Sequence, residues 1–155
     1  DKYLFESDPQ LVEKYLFETA TQLGSEKFHA LHNAFMEGGY LLYVPAGVEI
    51  EEPFAVYHWN VADHGATFPH LIVAADAHAK VSVVDVQNSF DAASPGFACS
   101  VGNLFAGDGA RIFRKTVQNF NPRTVSFQLD TNNVGRDSSV RAINLNLGGR
   151  RAPCW

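Results

Sequence analysis

The pattern of hydrophobic and polar positions changes once along this chain, near residue 40. Before that point apolar residues follow helical spacing, beginning after Asp8 and Pro9, a capping residue followed by the proline typical of a first helical turn. We expect this helix to run as far as a stop at Gly24, and a second helix to begin near Ser25. The apolar face of the second helix is predicted to carry Phe28, Leu31, His32 and Phe35, before Gly38 and Gly39 end it.

From Tyr40 onward short β-branched and aromatic runs alternate with turn residues, which predicts strands. No helical pattern interrupts these runs, so an alternating βαβ fold is disfavoured. The predicted strands are Tyr40–Val44, Phe54–His58, Leu71–Ala74, Val81–Val86, Val101–Phe105, Ile112–Val117, Val125–Leu129 and Val140–Leu147.

Two of these runs repeat each other at one fixed offset. The tripeptide Val86–Asn88 returns as Val117–Asn119, and Ala79–Val81 corresponds to Ala110–Ile112 at the same shift. A third coil from Val134 to Asn146 fits at a slightly smaller offset, which places Val117 over Leu145. A sandwich or barrel has no reason to repeat side chains at a fixed phase, so the repeat favours stacked coils of a β-helix.

Stacking at these offsets predicts which side chains point inward. We expect Val81, Val83, Ile112 and Val140 to face the interior, and Lys80 and Arg111 to meet solvent. Amide side chains at equivalent positions of stacked coils satisfy each other's donors and acceptors, which predicts ladders. The amides concerned are Gln87, Asn88, Gln118 and Asn119.

Composition limits the function classes. The chain has 155 residues, 46% hydrophobic and 19% charged, which fits one globular domain, and its net charge of −5 argues against nucleic acid. The sequence predicts no membrane span and no signal peptide. Cys99 and Cys154 form neither a disulfide framework nor a metal motif, which indicates a reducing, cytoplasmic setting with Cys99 as a buried thiol.

Three histidines leave an enzyme open as an alternative. His58, His64 and His70 lie close together in sequence and suggest a jelly-roll (cupin-like) metal-dependent enzyme, although their spacing matches no standard ligand pair. His29 and His32 are interpreted as surface and packing residues. A carbohydrate-active β-helix would need carboxylates in a groove, and the strands offer little beyond Asp85 and Asp130.

Several spaced motifs together resemble the SufB/SufD family of iron–sulfur cluster assembly proteins. The resemblance begins with Lys27–Phe35 and the segment Gly38–Val48, and continues in the expected order to Leu147–Gly149. The segment Leu11–Leu16 is more similar to SufD than to SufB, and Phe120 stands where SufB usually carries tryptophan.

The resemblance implies a right-handed parallel β-helix and a non-catalytic scaffold role in the SUF system. It implies a SufC-type ATPase and a SufB-type paralogue as partners, bound through regions mostly absent here, since the match corresponds to a central fragment. No catalytic, cofactor-binding or metal residue is carried over, and only Asn60 and Gln118 match positions of a polar path. An iron–sulfur cluster is expected only transiently, in the full complex.

We therefore divide the chain into three parts. Residues 1–39 are predicted to be helical, 40–149 to form a β-helix truncated at its C-terminal end, and 150–155 to form a tail. An open solenoid end exposes unpaired strand edges, so pairing of two copies into a homodimer is a further expectation.

Overall fold

The computed structural model describes residues 9–16, 26–61 and 63–150. These contain two helices, α1 (Pro9–Leu16) and α2 (Glu26–Phe35), followed by strands only. The strands are β1 (Tyr40–Val44), β2 (Phe54–Asn60), β3 (Ala66–Thr67), β4 (His70–Ala75), β5 (Lys80–Ser89), β6 (Gly96–Ala106), β7 (Arg111–Asn119), β8 (Thr124–Val134) and β9 (Ser139–Asn146).

The strands form two parallel sheets whose members alternate along the chain. The first sheet runs β1–β4–β6–β8, with the short β3 beside the start of β6, and the second runs β2–β5–β7–β9. Each coil therefore adds one layer to both sheets, and about four coils stack into a β-solenoid. The predicted β-helix is confirmed.

The strand register confirms both predicted offsets. Val86 pairs with Val117 and Gln87 with Gln118, as the repeated tripeptide requires. Between β7 and β9 the offset is smaller, and Val117 pairs with Leu145. The shortening occurs at one corner, because Asn88 still pairs with Asn119 whereas Gly96 already pairs with Thr124.

The predicted element boundaries are close to those observed, with two differences. β1 matches its prediction, whereas most other strands extend further, since inter-coil pairing continues through polar residues that show no strand pattern. The two-residue β3 was not predicted. The first helix begins at Pro9 as expected; its predicted end at Gly24 lies outside the described residues, as does the predicted tail after residue 150 with Cys154.

The space between the two sheets is here called the lumen. An apolar core fills one half of it. Val81, Val83 and Ile112 are buried there as predicted, with Val73 and Leu104 facing them from the first sheet. Val140 packs partly buried against this core, and Lys80 and Arg111 are exposed as expected.

The outer face of the first sheet is covered by the helices. Tyr15 of α1 packs on Phe105, with ring centroids 5.0 Å apart, and Phe28 of α2 stacks on Phe127 at 4.0 Å. Every residue of β4 is consequently buried, as expected for a parallel strand covered on both faces. The two inner strands of the second sheet, β5 and β7, instead alternate buried and more exposed positions.

One corner of the solenoid repeats a left-handed residue in every coil. Gly47, His78, Gly109 and Asp137 have φ values of 73°, 61°, 68° and 56° and follow one another at the coil offsets. The turns hydrogen-bond between coils, because the amide of His78 donates to Asp108 O and that of Gly109 to Arg136 O, both at 2.8 Å. This column keeps the coils in phase.

Candidate functional site: the polar half of the lumen

The lumen changes from apolar to polar along two neighbouring strands. On β5 the inward positions continue from Val83 to Asp85 and Gln87, and on β7 they continue from Ile112 to Arg114, Thr116 and Gln118. Alternate residues of a strand share a face, so these polar side chains line the same interior as the core. The solenoid therefore has a dry half and a polar half.

A buried arginine occupies the middle of the polar half. Arg114 is 1% exposed, and its guanidinium donates from Nη2 to Asp85 Oδ2 at 2.8 Å and from Nη1 to Asp130 Oδ1 at 2.5 Å. Asp85 lies on the neighbouring strand of the same sheet, whereas Asp130 reaches across from the opposite sheet. The arginine thus ties the two sheets together through charged hydrogen bonds.

The two carboxylates keep this arginine charged. Burial alone would lower the pKa of Arg114, but Asp130 and Asp85 together outweigh it, so the pKa is raised above its ordinary value. A buried charge persists only when it is paired and hydrogen-bonded. The cluster therefore depends on all three residues.

His58 borders this cluster on β2. Its Nε2 lies 3.4 Å from Asp85 Oδ1, and burial lowers the pKa of His58 although the nearby Asp85 charge acts in the opposite direction. The imidazole is therefore neutral near pH 7.

The asparagines form the predicted ladder, whereas the glutamines do not pair in that way. Asn119 donates to Asn88 Oδ1 at 3.4 Å on the outer face. Gln87 and Gln118 lie in register but donate to Asp85 Oδ2 at 3.4 Å and to Ser126 Oγ at 3.3 Å, respectively. The lumen offers carboxylate and hydroxyl acceptors that the sequence pattern does not reveal.

Asn60 and Gln118, the two candidates for a polar path, both lie in this polar half. Asn60 is 7% exposed at the end of β2 and Gln118 is 3% exposed on β7, two layers further along the second sheet. The structure also leaves five buried polar atoms of the described residues without a hydrogen-bond partner, and all belong to this region: His58 Nε2, Asn60 Oδ1, Asp85 Oδ1, Arg114 Nε and Thr116 Oγ1.

The three histidines of the alternative enzyme do not form one site. His58 contacts Asp85, His64 is exposed beside Asp63, and His70 is buried against His32. Among the described residues no group of three His, Cys, Asp or Glu side chains is placed to hold a metal ion. The jelly-roll prediction is wrong about the fold, because all the strand pairs are parallel.

The other sequence candidates are structural residues. Cys99 is fully buried in β6, and burial raises the pKa of its thiol to about 11, as expected for a packed and unreactive thiol. His32 is fully buried, in agreement with a packing role. Asp85 and Asp130 point into the lumen toward Arg114, so they do not line a sugar-binding groove.

Sequence reasoning did not identify Arg114 as part of the site. The repeat places Arg114 in register with Val83, a predicted inward position, and a charged residue at such a position was the available signal.

In the described part of the chain no helix is long and apolar enough to cross a membrane.

Comparisons with known proteins agree over nearly the whole chain. A family model described as SufBD protein N-terminal region matches residues 2–56, and one described as SUF system FeS cluster assembly, SufBD core domain, matches residues 58–152. No solved structure matches.

Curated relatives carry corresponding names. The chain is 29% identical to the iron–sulfur cluster assembly protein SufD of Bacillus subtilis over 133 residues, which cover 84% of the chain and 30% of that protein. It is 23% identical to a SufBD family protein of Staphylococcus saprophyticus, over 88% of the chain and 30% of the relative, and 21% identical to one of Staphylococcus aureus, over 94% and 31%. The chain thus spans less than a third of the length of these relatives, and it belongs to the SufBD family of iron–sulfur cluster assembly proteins.

Proposed function

We propose that this chain is part of a SufD-type subunit that acts as a non-catalytic scaffold in iron–sulfur cluster assembly. The observation that carries the proposal is the match of the SufBD core model to residues 58–152, supported by the similarity to the SufD protein of Bacillus subtilis. The subunit works with a SufB-type paralogue and a SufC-type ATPase in the cytoplasm. The cluster itself is held transiently by the full complex.

The geometry supports a scaffold. The charged residues of the lumen bond to one another, because the buried Arg114 is held between the buried Asp85 and the partly buried Asp130. Such an arrangement stabilises the stack of coils and leaves the outer face of the second sheet for partners. The unpaired polar atoms beside it support a second part of the proposal, in which Asn60 and Gln118 line a polar path through the solenoid.

Deletion and complementation test the scaffold role. We expect a strain lacking the full-length protein to lose iron–sulfur enzyme activity, and the tagged protein to co-purify with the SufB-type and SufC-type subunits. The isolated protein should show no ATP hydrolysis and no sulfur release from cysteine. Turnover by the isolated subunit, or normal enzyme maturation without it, would contradict the proposal.

The polar path has its own test. Q118A should lower iron–sulfur enzyme maturation in the complemented strain while the variant still co-purifies with its partners. N119A is the matched control, because it removes an exposed amide from the next position of the same strand. Equal maturation by the two variants would exclude Gln118 from the path without affecting the scaffold proposal.

A further inference from the structure

In the described part of the chain both helices pack on the first sheet, and the outer face of the second sheet stays uncovered. Strand residues alternate between the two faces of a sheet, so the neighbours of the lumen residues point outward. On β5, β7 and β9 these outward positions include four cations, which are Lys80, Arg111, Lys115 and Arg141.

The charges at the outward positions are all of one sign. The chain has 17 acidic and 12 basic residues, yet no Asp or Glu stands at an outward position of β2, β5, β7 or β9. Lys80 Nζ lies 3.6 Å from Glu49 Oε2 in an exposed pair at the edge of the face. The other three cations have no carboxylate partner among the described residues.

A groove of about 610 Å³ lies in the basic half of this face, at the starts of the strands. Its lining includes the cations Lys80, Arg111 and Arg141. One carboxylate, Asp137, reaches the groove from the corner turn, where it already lies 3.5 Å from Arg136 Nε. The groove therefore keeps an excess of positive charge that would attract carboxylates.

The same face becomes apolar toward the ends of the strands. Tyr57, Val86, Val117 and Leu145 lie in register across its four strands. Tyr57 is 57% exposed and Leu145 is 45% exposed. Neighbouring strands lie about 4.8 Å apart, so this apolar row is about 14 Å long. A contiguous apolar row beside charged residues is typical of an interaction surface.

Helices cover the equivalent face of the first sheet, where Tyr15 of α1 packs on Phe105. We propose that the outer face of the second sheet binds an acidic amphipathic helix of a partner protein. The apolar stripe of that helix would contact the row that contains Val86 and Val117, and its carboxylates would pair with the cations of the groove. This surface rests on the scaffold role proposed above and gives the chemistry of one partner.

Two other occupants fit the face less well. A second copy of this chain in a symmetric contact would bring the same patch against itself, and the cations of the two copies would repel each other. Nucleic acid would engage Arg111 and Arg141 through its phosphates, but it would leave the apolar row in water.

Binding of designed peptides to the full-length protein tests the proposal. The probe is a labelled helical peptide of about 20 residues, with a stripe of leucines and with glutamates at the other positions. A second peptide has the same composition without the stripe, and a third carries lysine in place of glutamate. We expect the first peptide to bind at least tenfold more tightly than either, as measured by fluorescence anisotropy at about 30 mM salt, where screening is weak.

Charge reversal in the groove tests the contact itself. The double variant R111E/R141E should weaken binding of the glutamate peptide at least tenfold, because two attractive contacts become repulsive. R123E/R150E is the matched control, since both arginines are exposed near the corner at Thr124, away from the groove. Neither double variant should shift the urea unfolding midpoint, because all four side chains are exposed.

The opposing outcomes are specific. Equal binding of the three peptides, or equal losses for the two double variants, would overturn the proposal. Tighter binding of a DNA duplex or of phosphatidylserine vesicles, lost in R111E/R141E, would assign the face to nucleic acid or to a membrane instead. The peptides are measured without other subunits, so a failure of the scaffold role in cells would leave these results unchanged and is distinguishable from them.

Discussion

Gly102 lies directly against the guanidinium of Arg114, and a methyl group at this glycine would overlap with Nη1. The same methyl group would also lie 2.6 Å from Oδ1 of Asp130, the residue that pairs with Gly102 on β8. The buried arginine therefore fits inside the solenoid because the strand opposite it has no side chain at this position.

G102A should displace Arg114 and destabilise the fold. We expect the free energy of unfolding to fall by about 1–3 kcal/mol, the usual effect of overpacking a buried site. Urea unfolding measures the change. Combined with R114M, the glycine substitution should have a smaller effect, because the overlapping group is gone; strict additivity of the two losses would contradict the contact.

Removing the arginine takes the charged partner away from both carboxylates, and Asp85, which is 1% exposed, keeps only the 3.4 Å contacts with Gln87 and His58. R114M should lower the free energy of unfolding by about 3–5 kcal/mol, as for other broken buried ion pairs. R111M on the same strand is the matched control, since Arg111 is exposed and its loss should change stability by no more than about 0.5 kcal/mol. Similar losses for the two variants in urea unfolding would show that Arg114 is not held as described.

The left-handed corner provides a matched pair of glycines. In G47A the added Cβ would have no atom within 4 Å. The substitution should therefore lower the free energy of unfolding by about 1–2 kcal/mol, the strain of a left-handed residue that carries a Cβ. G109A has the same strain, and its Cβ would also overlap with His78 Nδ1. We expect G109A to lower the thermal unfolding midpoint more than G47A does. Adding H78G to G109A should remove this extra loss. Equal losses for the two alanine variants would contradict the contact between Gly109 and His78.

His58 should make stability depend on pH. Burial lowers the pKa of His58 below its ordinary 6.5, so the unfolded chain binds more protons than the folded one and stability falls as pH drops below 6.5. The groups facing His58 are Asp85, Arg114 and the ring of Tyr40.

The comparison with H58Q isolates this contribution. Between about pH 7.5 and 5.5, a range that spans the ordinary histidine pKa, the wild type should lose more unfolding free energy than H58Q, as measured in urea. A difference of opposite sign would mean that the charged Asp85 overrides burial and that His58 is protonated in the folded protein.

The stacking of the coils could be predicted from the sequence because similar residues recur within the strands. Pairs such as Val86 with Val117 recur at one spacing, and spacing is visible along a chain. The Arg114 cluster depends instead on a contact across the lumen to Asp130 in the other sheet, and the contact of His32 with His70 joins a helix to a strand. No local pattern encodes such contacts, since they follow from how the two sheets and the helix meet.

The nearly constant register also has a kinetic consequence. Phe54 pairs with Val83, Val83 with Arg114 and Arg114 with Ala142, so every new coil closes a loop of nearly the same length. The entropic barrier to adding a coil is then nearly the same at each step, and it does not grow as the stack lengthens. Once the first coils have paired, growth by successive coils becomes the natural route of folding.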